Sequence, residues 1–385
     1  MTRIYLIRHA EAEGNWFRRI QGFYDGQITP RGKKQISALA ERFRDVELDA
    51  LYSSDLSRTV ETSGAITRYH DLPIITDKRL RELGMGIWEN KAWGDMTYEQ
   101  PEQMRYFSSS PTKWNVAGCE SFDHLAQRIT GAVRDIASRH DGQTIAIVSH
   151  GTAIRSLLCA LLGLPQERIT EVPHGDNTAV ALLEAQDGHM DIIYMNDNSH
   201  VPPELSTFSK QTWWKTASGT EDNNLRFSSM DPSAEKELYL RLYESSWIAA
   251  HGSTGGFDPD YYLRQAMLHF REDNRCIMKA CAGDKCVGII EMNINEGRRN
   301  GFGWISLLCI DPDFRGNGFG VQLIGHADAF FGELGREKLG LVTAAENAKA
   351  IGFYEYCGFR KCGVRPGTLG TLYVMERPIL RRIPE

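Results

Sequence analysis

The stretch RIYLIRHAEAEGN, residues 3–15, decides how the first half of this chain is read. Ile4, Tyr5, Leu6 and Ile7 form a short apolar run of the kind that makes a buried strand, and the run stops on Arg8 and His9. The stretch TIAIVSHGTAIRSLL, residues 144–158, repeats the pattern and ends its strand-like part on His150. Helix-like stretches alternate with these runs. PRGKKQISALAERFRDV (30–46) places Ile36, Leu39, Ala40 and Phe43 on one face, and LSRTVETSGAITRYH (56–70) and FDHLAQRITGAVRDIASRH (122–140) follow. The alternation predicts an α/β domain over residues 1–200, with a mainly parallel sheet and helices on both faces.

The whole chain has 385 residues, more than one ordinary domain needs. Its 42% hydrophobic and 24% charged residues are usual for a soluble globular protein. A net charge of −6 argues against a general nucleic-acid binder. No apolar run reaches the length of a membrane span, and the start lacks a secretory pattern, so a cytoplasmic protein without a membrane partner is expected. The eight cysteines are scattered, and Cys276, Cys281 and Cys286 lack the paired spacing of a zinc site. They are expected to be reduced and buried, with no metal.

Residues 201–229 lose the strand–helix rhythm and are rich in Pro, Ser, Asn and Gly, which marks a linker with the boundary near residue 225. Trp213 and Trp214 within it suggest a part that docks. From 230 to 385 the texture changes: two helices, a hairpin turning at Gly283–Asp284, a strand, a long helix and a short one. Consecutive strands followed by alternation predict an α+β domain with a mixed sheet.

In open α/β sheets, ligands bind beyond the carboxyl ends of the strands, where His9 and His150 stand. Arg8 is beside them, and Arg58 falls in the first turn of the helix after YSSD, whose amino end favours anions. Two guanidiniums and a helix start describe a phosphate pocket. A neutral imidazole can attack phosphorus there, and a carboxylic acid must protonate the leaving oxygen. Glu82, in RLRELGMGIWEN (79–90), is the candidate acid. A metal site built from His9, His150 and Glu82 is the competing reading, opposed by the two cations that would repel a divalent ion.

The elements LIRHAEAEGN, IQGFYDGQITPRG, LYSSDLSRTVETS, LRELGMGIWEN, CESFDHLAQR and IVSHGTAIR appear in this order over residues 1–200. In that order they resemble the histidine phosphatase superfamily, with its three-layer phosphoglycerate-mutase-like fold. The resemblance implies that His9 becomes phosphorylated and that Glu82 acts as acid, then base. It further implies that Arg8, Arg58 and His150 hold the phosphoryl oxygens, that Asn15 supports them, and that no metal is required. Ala10 and Ala12 depart from the small and hydroxyl residues most members carry there. The ELGMGIWEN region looks like the phosphatase branch, and no lysine-bearing insertion of the mutase kind is present, so hydrolysis is favoured over mutase chemistry.

In the second half, LLCIDPDFRGNGFGVQLIGHADAF (307–330) runs from a strand through a glycine-spaced loop into a helix. Gly316, Gly318 and Gly320 let backbone amides approach a ligand, and a helix start suits a pyrophosphate. With AENAKAIGFYEYCGFR (345–360), this loop resembles the GNAT acetyltransferases. The resemblance implies that amides of Arg315, Gly316, Asn317, Gly318, Phe319 and Gly320 hold the pyrophosphate of acetyl-CoA. It also implies that the strand edge at Leu308 and Ile310 bonds the pantetheine arm, that Asn347 contacts the cofactor, and that Tyr354 protonates the departing thiolate. The base is not fixed by any pattern, and Glu291 is one candidate carboxylate. The two halves together predict a bifunctional enzyme taking a small-molecule phosphate ester and a small-molecule or peptide amine. The alternatives are a phosphatase regulated by a non-catalytic CoA-binding domain, or a phosphoglycerate mutase-type phosphotransferase.

Overall fold

The computed structural model describes residues 1–210 and 223–379. They form two compact units that divide between residues 210 and 223, with Ala92–Asp95 grouped with the second. The first unit contains β1 (Thr2–Arg8), α1 (Glu13–Phe17), α2 (Pro30–Phe43), β2 (Ala50–Ser53), α3 (Ser57–Thr67) and β3 (Ile74–Thr76). After α4 (Trp93–Glu99) come α5 (Pro101–Ser109), α6 (Phe122–Ser138), β4 (Thr144–Ser149), α7 (Gly151–Leu161), β5 (Val180–Gln186) and β6 (His189–Asp197).

These strands make one sheet in the order β3-β2-β4-β1-β5-β6. β1, β2, β3 and β4 are parallel, and β5 turns antiparallel against β1. Central strands with apolar side chains on both faces need helices on both sides, and the sequence supplies them with clear starts. Pro30 opens α2 behind Thr29, whose hydroxyl accepts the Gly32 N–H at 3.0 Å, and Ser121 caps α6 in the same way. Leu39, Ala40 and Phe43 of α2 and Ala65 and Ile66 of α3 pack onto Ile7, Leu51, Ala146, Val148 and Val180 of the sheet. The parallel register pairs Arg8 with Ser149, so the residue after each of these, His9 and His150, leaves the sheet at the same edge.

The second unit contains β7 (Arg226–Ser229), α8 (Lys236–His251), α9 (Pro259–Glu272), β8 (Ile277–Ala282), β9 (Lys285–Asn293) and β10 (Phe302–Ile310). It continues through α10 (Phe319–Glu333), β11 (Lys338–Ala344), α11 (Ala348–Tyr356), β12 (Arg360–Gly367) and β13 (Gly370–Pro378). Its sheet has the order β12-β13-β11-β10-β9-β8-β7, and it is mixed because only β10 and β11 run parallel. Met230, Tyr239, Leu242, Ala266, Ile277, Ile289, Leu307 and Cys309 form a core between α8, α9 and this sheet.

Two expectations meet a different arrangement. The range 201–229 is not a uniform linker: Gln35 donates to the Leu205 carbonyl at 2.8 Å, and β7 is the edge strand of the second sheet. Trp213 and Trp214 lie outside the described residues. The eight cysteines are all unpaired, but burial is not general, since Cys362 is exposed and Cys119 and Cys286 are half-buried. Among the described residues, no helix is long and apolar enough to cross a membrane.

Candidate functional sites

The first site is built where β1 and β4 end. The His9 and His150 rings face each other with centroids 5.3 Å apart. Nδ1 of His9 lies 2.7 Å from the Ala10 carbonyl, which only accepts, so Nδ1 carries the proton and Nε2 keeps its lone pair. The His9 backbone is held too: its N–H donates to the Ser149 carbonyl at 3.0 Å, and its carbonyl accepts from Asn177 Nδ2 at 2.9 Å. Burial pushes the His9 pKa well below its ordinary value, and the Arg58 and Arg8 guanidiniums push it further. Burial and Arg58 do the same to His150. Both shifts favour the neutral form of the imidazole.

Arg58 is buried at the second position of α3, where Nη1 donates to the Tyr24 carbonyl at 2.9 Å and Nη2 to the Gly22 carbonyl at 2.8 Å. Arg8 Nη1 donates to the Gly175 carbonyl at 2.6 Å. Nε of each arginine and both ring nitrogens of His150 are buried without a hydrogen-bond partner. A buried polar atom left unmade costs about 1–3 kcal/mol. The two Nε–H groups and the one ring N–H of a neutral His150 are donors without an acceptor, so the cluster is suited to an acceptor-rich ligand.

The helix start expected to bind the anion is already occupied. Ser57, which opens α3, gives its N–H and hydroxyl to Asp25 at 2.8 and 2.6 Å. The first amides of α7 are likewise taken by Glu82, which accepts from Thr152 at 3.0 Å and Ala153 at 2.9 Å. The cationic character of the pocket therefore rests on the arginines. Glu82 is near enough that its charge is felt by both Arg8 and Arg58. Asn15 sits on α1 and accepts the Ala12 N–H through Oδ1 at 3.1 Å. Ala12 itself starts α1 with no side-chain cap.

Three further residues organise this site. Glu89 accepts the backbone N–H groups of Gly22, Phe23, Tyr24 and Met85, and so shapes the loop whose carbonyls clamp Arg58. Arg128 donates to the carbonyls of Arg79, Arg81 and Glu82 and pairs with Glu120 at 2.6 Å. Asn177 ties the His9 carbonyl in place. Glu89 and Arg128 fall within motifs already singled out, GIWEN and FDHLAQR, but their partners are backbone atoms far along the chain. Pattern reading does not reveal those.

The second site lies at the carboxyl end of β10. Pairing with β11 covers only Phe302–Ile305 against Lys338–Leu341, whereas β10 continues to Ile310 along β9. The Asp311 N–H donates to Val287 of β9 at 2.9 Å, so alternation turns the amide groups of Leu308 and Ile310 away from β9, toward the unpaired edge. The Ile310 carbonyl accepts from Arg315 Nε at 2.9 Å. Gly316 and Gly318 have φ of 85° and 77°, the left-handed region that suits glycine, and a side chain at either would meet open space. Gly320 differs: a Cβ there would stand 2.8 Å from the Phe353 ring, so a glycine at this position lets α10 pack on α11. Asn347 caps α11 by accepting the Ala350 N–H at 3.1 Å. Tyr354 is buried among Phe353 and Phe359, and burial raises its phenol pKa.

Glu291 does not stand at this edge. It is buried, and it accepts the Tyr239 hydroxyl at 2.6 Å and pairs with His269 at 2.7 Å. A carboxylate with both oxygens engaged in a buried network fits core stabilisation.

A three-layer α/β unit with paired histidines and arginines at its sheet edge, and a mixed-sheet unit with a splayed parallel pair and a glycine loop, define two enzyme classes. The chain belongs to the histidine phosphatase superfamily (branch 1), whose family model matches residues 4–198, and the GNAT acetyltransferase family model matches residues 238–359. Phosphoserine phosphatase 1 of Hydrogenobacter thermophilus is 31% identical over 201 residues, covering 52% of this chain and 95% of that protein. A probable phosphoglycerate mutase GpmB of Salmonella choleraesuis is 34% identical over 165 residues, 43% of this chain and 77% of its own length. Among solved structures, Bacillus stearothermophilus YhfR aligns with a TM-score of 0.51 and 32% identity, covering 52% of this chain and all of that one.

Proposed function

We propose that the first unit hydrolyses a small-molecule phosphate monoester through a phosphohistidine on His9. The observation that carries this reading is the Nδ1 bond of His9 to Ala10, which leaves a neutral Nε2 beside His150 and two buried guanidiniums. Nε2 attacks phosphorus in line, Arg8, Arg58 and His150 hold the phosphoryl oxygens, and Asn15 steadies the loop that follows His9. Glu82 gives a proton to the leaving oxygen and then takes one from the water that cleaves the phosphohistidine. The named relatives include a phosphoserine phosphatase, which supports a phosphorylated amino acid as the substrate class. Rapid quench with labelled phosphoserine tests the scheme. The wild type should yield an acid-labile, base-stable phosphoprotein that maps to His9, and His9→Ala should yield none. Turnover by the wild type without such a species removes the proposal.

The second unit is proposed to acetylate an amine. Acetyl-CoA, when bound, supplies the acetyl group. The amides of Arg315 to Gly320 and the amino end of α10 suit its pyrophosphate, and the unpaired edge at Leu308 and Ile310 suits its pantetheine arm. Asn347 lies at the start of α11, where its amide nitrogen can reach the same ligand while its oxygen caps the helix. Tyr354 holds its proton firmly in its buried position and releases it only to a strong base such as the departing thiolate.

A further inference from the structure

Three side chains lie in a row across the edge of the second sheet. Arg226 on β7 is in register with Cys281 on β8, and Cys281 is in register with Cys286 on β9. Directly opposed residues on neighbouring strands project to the same face, so a guanidinium and two thiols are consecutive neighbours. The hairpin joining β8 to β9 turns through Gly283 and Asp284, with Gly283 at φ 56° in the first central position, as a type II′ turn requires. Such a two-residue turn closes on a hydrogen-bonded pair, here Ala282 and Lys285. The next pair, Cys281 and Cys286, is then of the non-hydrogen-bonded kind, with Cα atoms about 4.5 Å apart, inside the span a disulfide bridges.

We propose that Cys281 and Cys286 form a peroxide-reactive dithiol, with Cys281 as the attacking thiol and Cys286 as the resolving one. The electrostatics agree: the neighbouring Cys286 thiol and the Arg226 guanidinium outweigh burial and hold the Cys281 thiol below its ordinary pKa, while Cys286 itself donates to the Gly288 carbonyl at 3.4 Å. Cys286 keeps its proton, since the neighbouring Cys281 and burial both raise its pKa. Cys276, Cys309 and Cys357 are pushed up by burial and stay inert thiols.

The reaction balances with a small hydroperoxide as oxidant. The Cys281 thiolate attacks the peroxide oxygen, the O–O bond breaks, and the alcohol or water leaves with a proton, giving a sulfenic acid. The Cys286 sulfur then attacks that sulfur, an S–S bond forms, the S–O bond breaks, and water departs with the Cys286 proton. Two electrons pass from the dithiol to the peroxide, and a thiol reductant reverses the step by exchange. The pair lies one residue from Val287, whose carbonyl anchors Asp311 at the start of the glycine loop, so this chemistry takes place beside the second site.

The test uses the full chain, reduced and freed of reductant, titrated with hydrogen peroxide and read by intact mass and peptide mapping. The expected first product has lost two hydrogens, carries a Cys281–Cys286 cross-link, and returns to starting mass with dithiothreitol. Cys286→Ser should halt at a sulfenic acid on Cys281, captured by dimedone. Arg226→Gln should slow the Cys281 reaction several-fold without changing that of the exposed Cys362. Oxidation of Cys362 or Cys119 ahead of an intact pair overturns the proposal. So does a Cys281 in the Cys286→Ser protein that reacts no faster than Cys362.

Discussion

His9 acquires its chemistry from one bond, because donation from Nδ1 to Ala10 fixes which nitrogen faces outward. Burial and two neighbouring cations then keep the ring neutral. An imidazole of ordinary pKa, about 6.5, would be some nine-tenths protonated and useless as a nucleophile at pH 5.5. Ring-nitrogen NMR of the free enzyme, assigned with His9→Ala and His150→Ala, should show both imidazoles neutral from pH 8 down to pH 5.5. An inflection near 6.5 for His9 would contradict this electrostatic picture. The same shift has a stability consequence with a definite sign. Above about pH 6.5 these rings are neutral in both folded and unfolded chains and contribute no pH slope. Below it the unfolded chain binds protons that the native pocket refuses, so stability falls as pH drops, by up to about 1.4 kcal/mol per pH unit for each histidine, until the native pKa is reached. At this scale the sequence was readable: Arg8, His9, Arg58, His150 and Glu82 converge. What it concealed was the partner of the α3 start, since Asp25 takes the Ser57 amide at the helix end assigned to phosphate.

Helices and strands show where pattern reading succeeds and where it stops. A run of alternating or helical periodicity is local, so β1, β4, α2, α6, the hairpin at Gly283–Asp284 and α10 were all visible beforehand. α4, α5 and the pair β12–β13 give no such pattern, because their apolar faces are weak or half exposed. The glycine loop divides along the same line. Gly316 and Gly318 answer a local backbone demand, whereas Gly320 answers Phe353, 33 residues on, which no spacing rule foresees. The two kinds of glycine should behave differently on substitution. Gly318→Ala places a methyl in open space at left-handed φ, costing about 1–2 kcal/mol and weakening acetyl-CoA binding at the loop. Gly320→Ala forces α10 away from α11 and should cost about 1–3 kcal/mol through overpacking, with a visible change in the Phe353 environment. Urea unfolding with and without acetyl-CoA separates the cases. Gly318→Ala should lose most of the ligand-induced stabilisation, and a Gly318→Ala protein stabilised by acetyl-CoA as strongly as the wild type would refute the assignment of this loop.

On the scale of the molecule, the chain carries two sets of chemical residues on two separate sheets. The first set stands on β1, α1, α3, the loop between β3 and α4 and the junction of β4 with α7, and the second on β10, α11 and the loop before α10. Neither set borrows a strand or helix from the other, so each should run without the chemistry of its neighbour. His9→Ala should abolish phosphate release and leave acetyl transfer within about twofold of the wild type, because it removes a nucleophile and disturbs no element of the second sheet. Tyr354→Phe should leave phosphate release unchanged and lower acetyl transfer by about a hundredfold or more, the usual worth of a positioned proton donor. Both activities are measured on each purified variant, with circular dichroism confirming that the fold is retained. Equal loss of both activities in each variant would mean one shared site. Phosphatase kinetics that respond to acetyl-CoA, with no thiol released in the presence of a panel of amines, would instead make the second unit a ligand-sensing module. In that case Tyr354→Phe would have no catalytic phenotype, because no thiolate would depart for it to protonate.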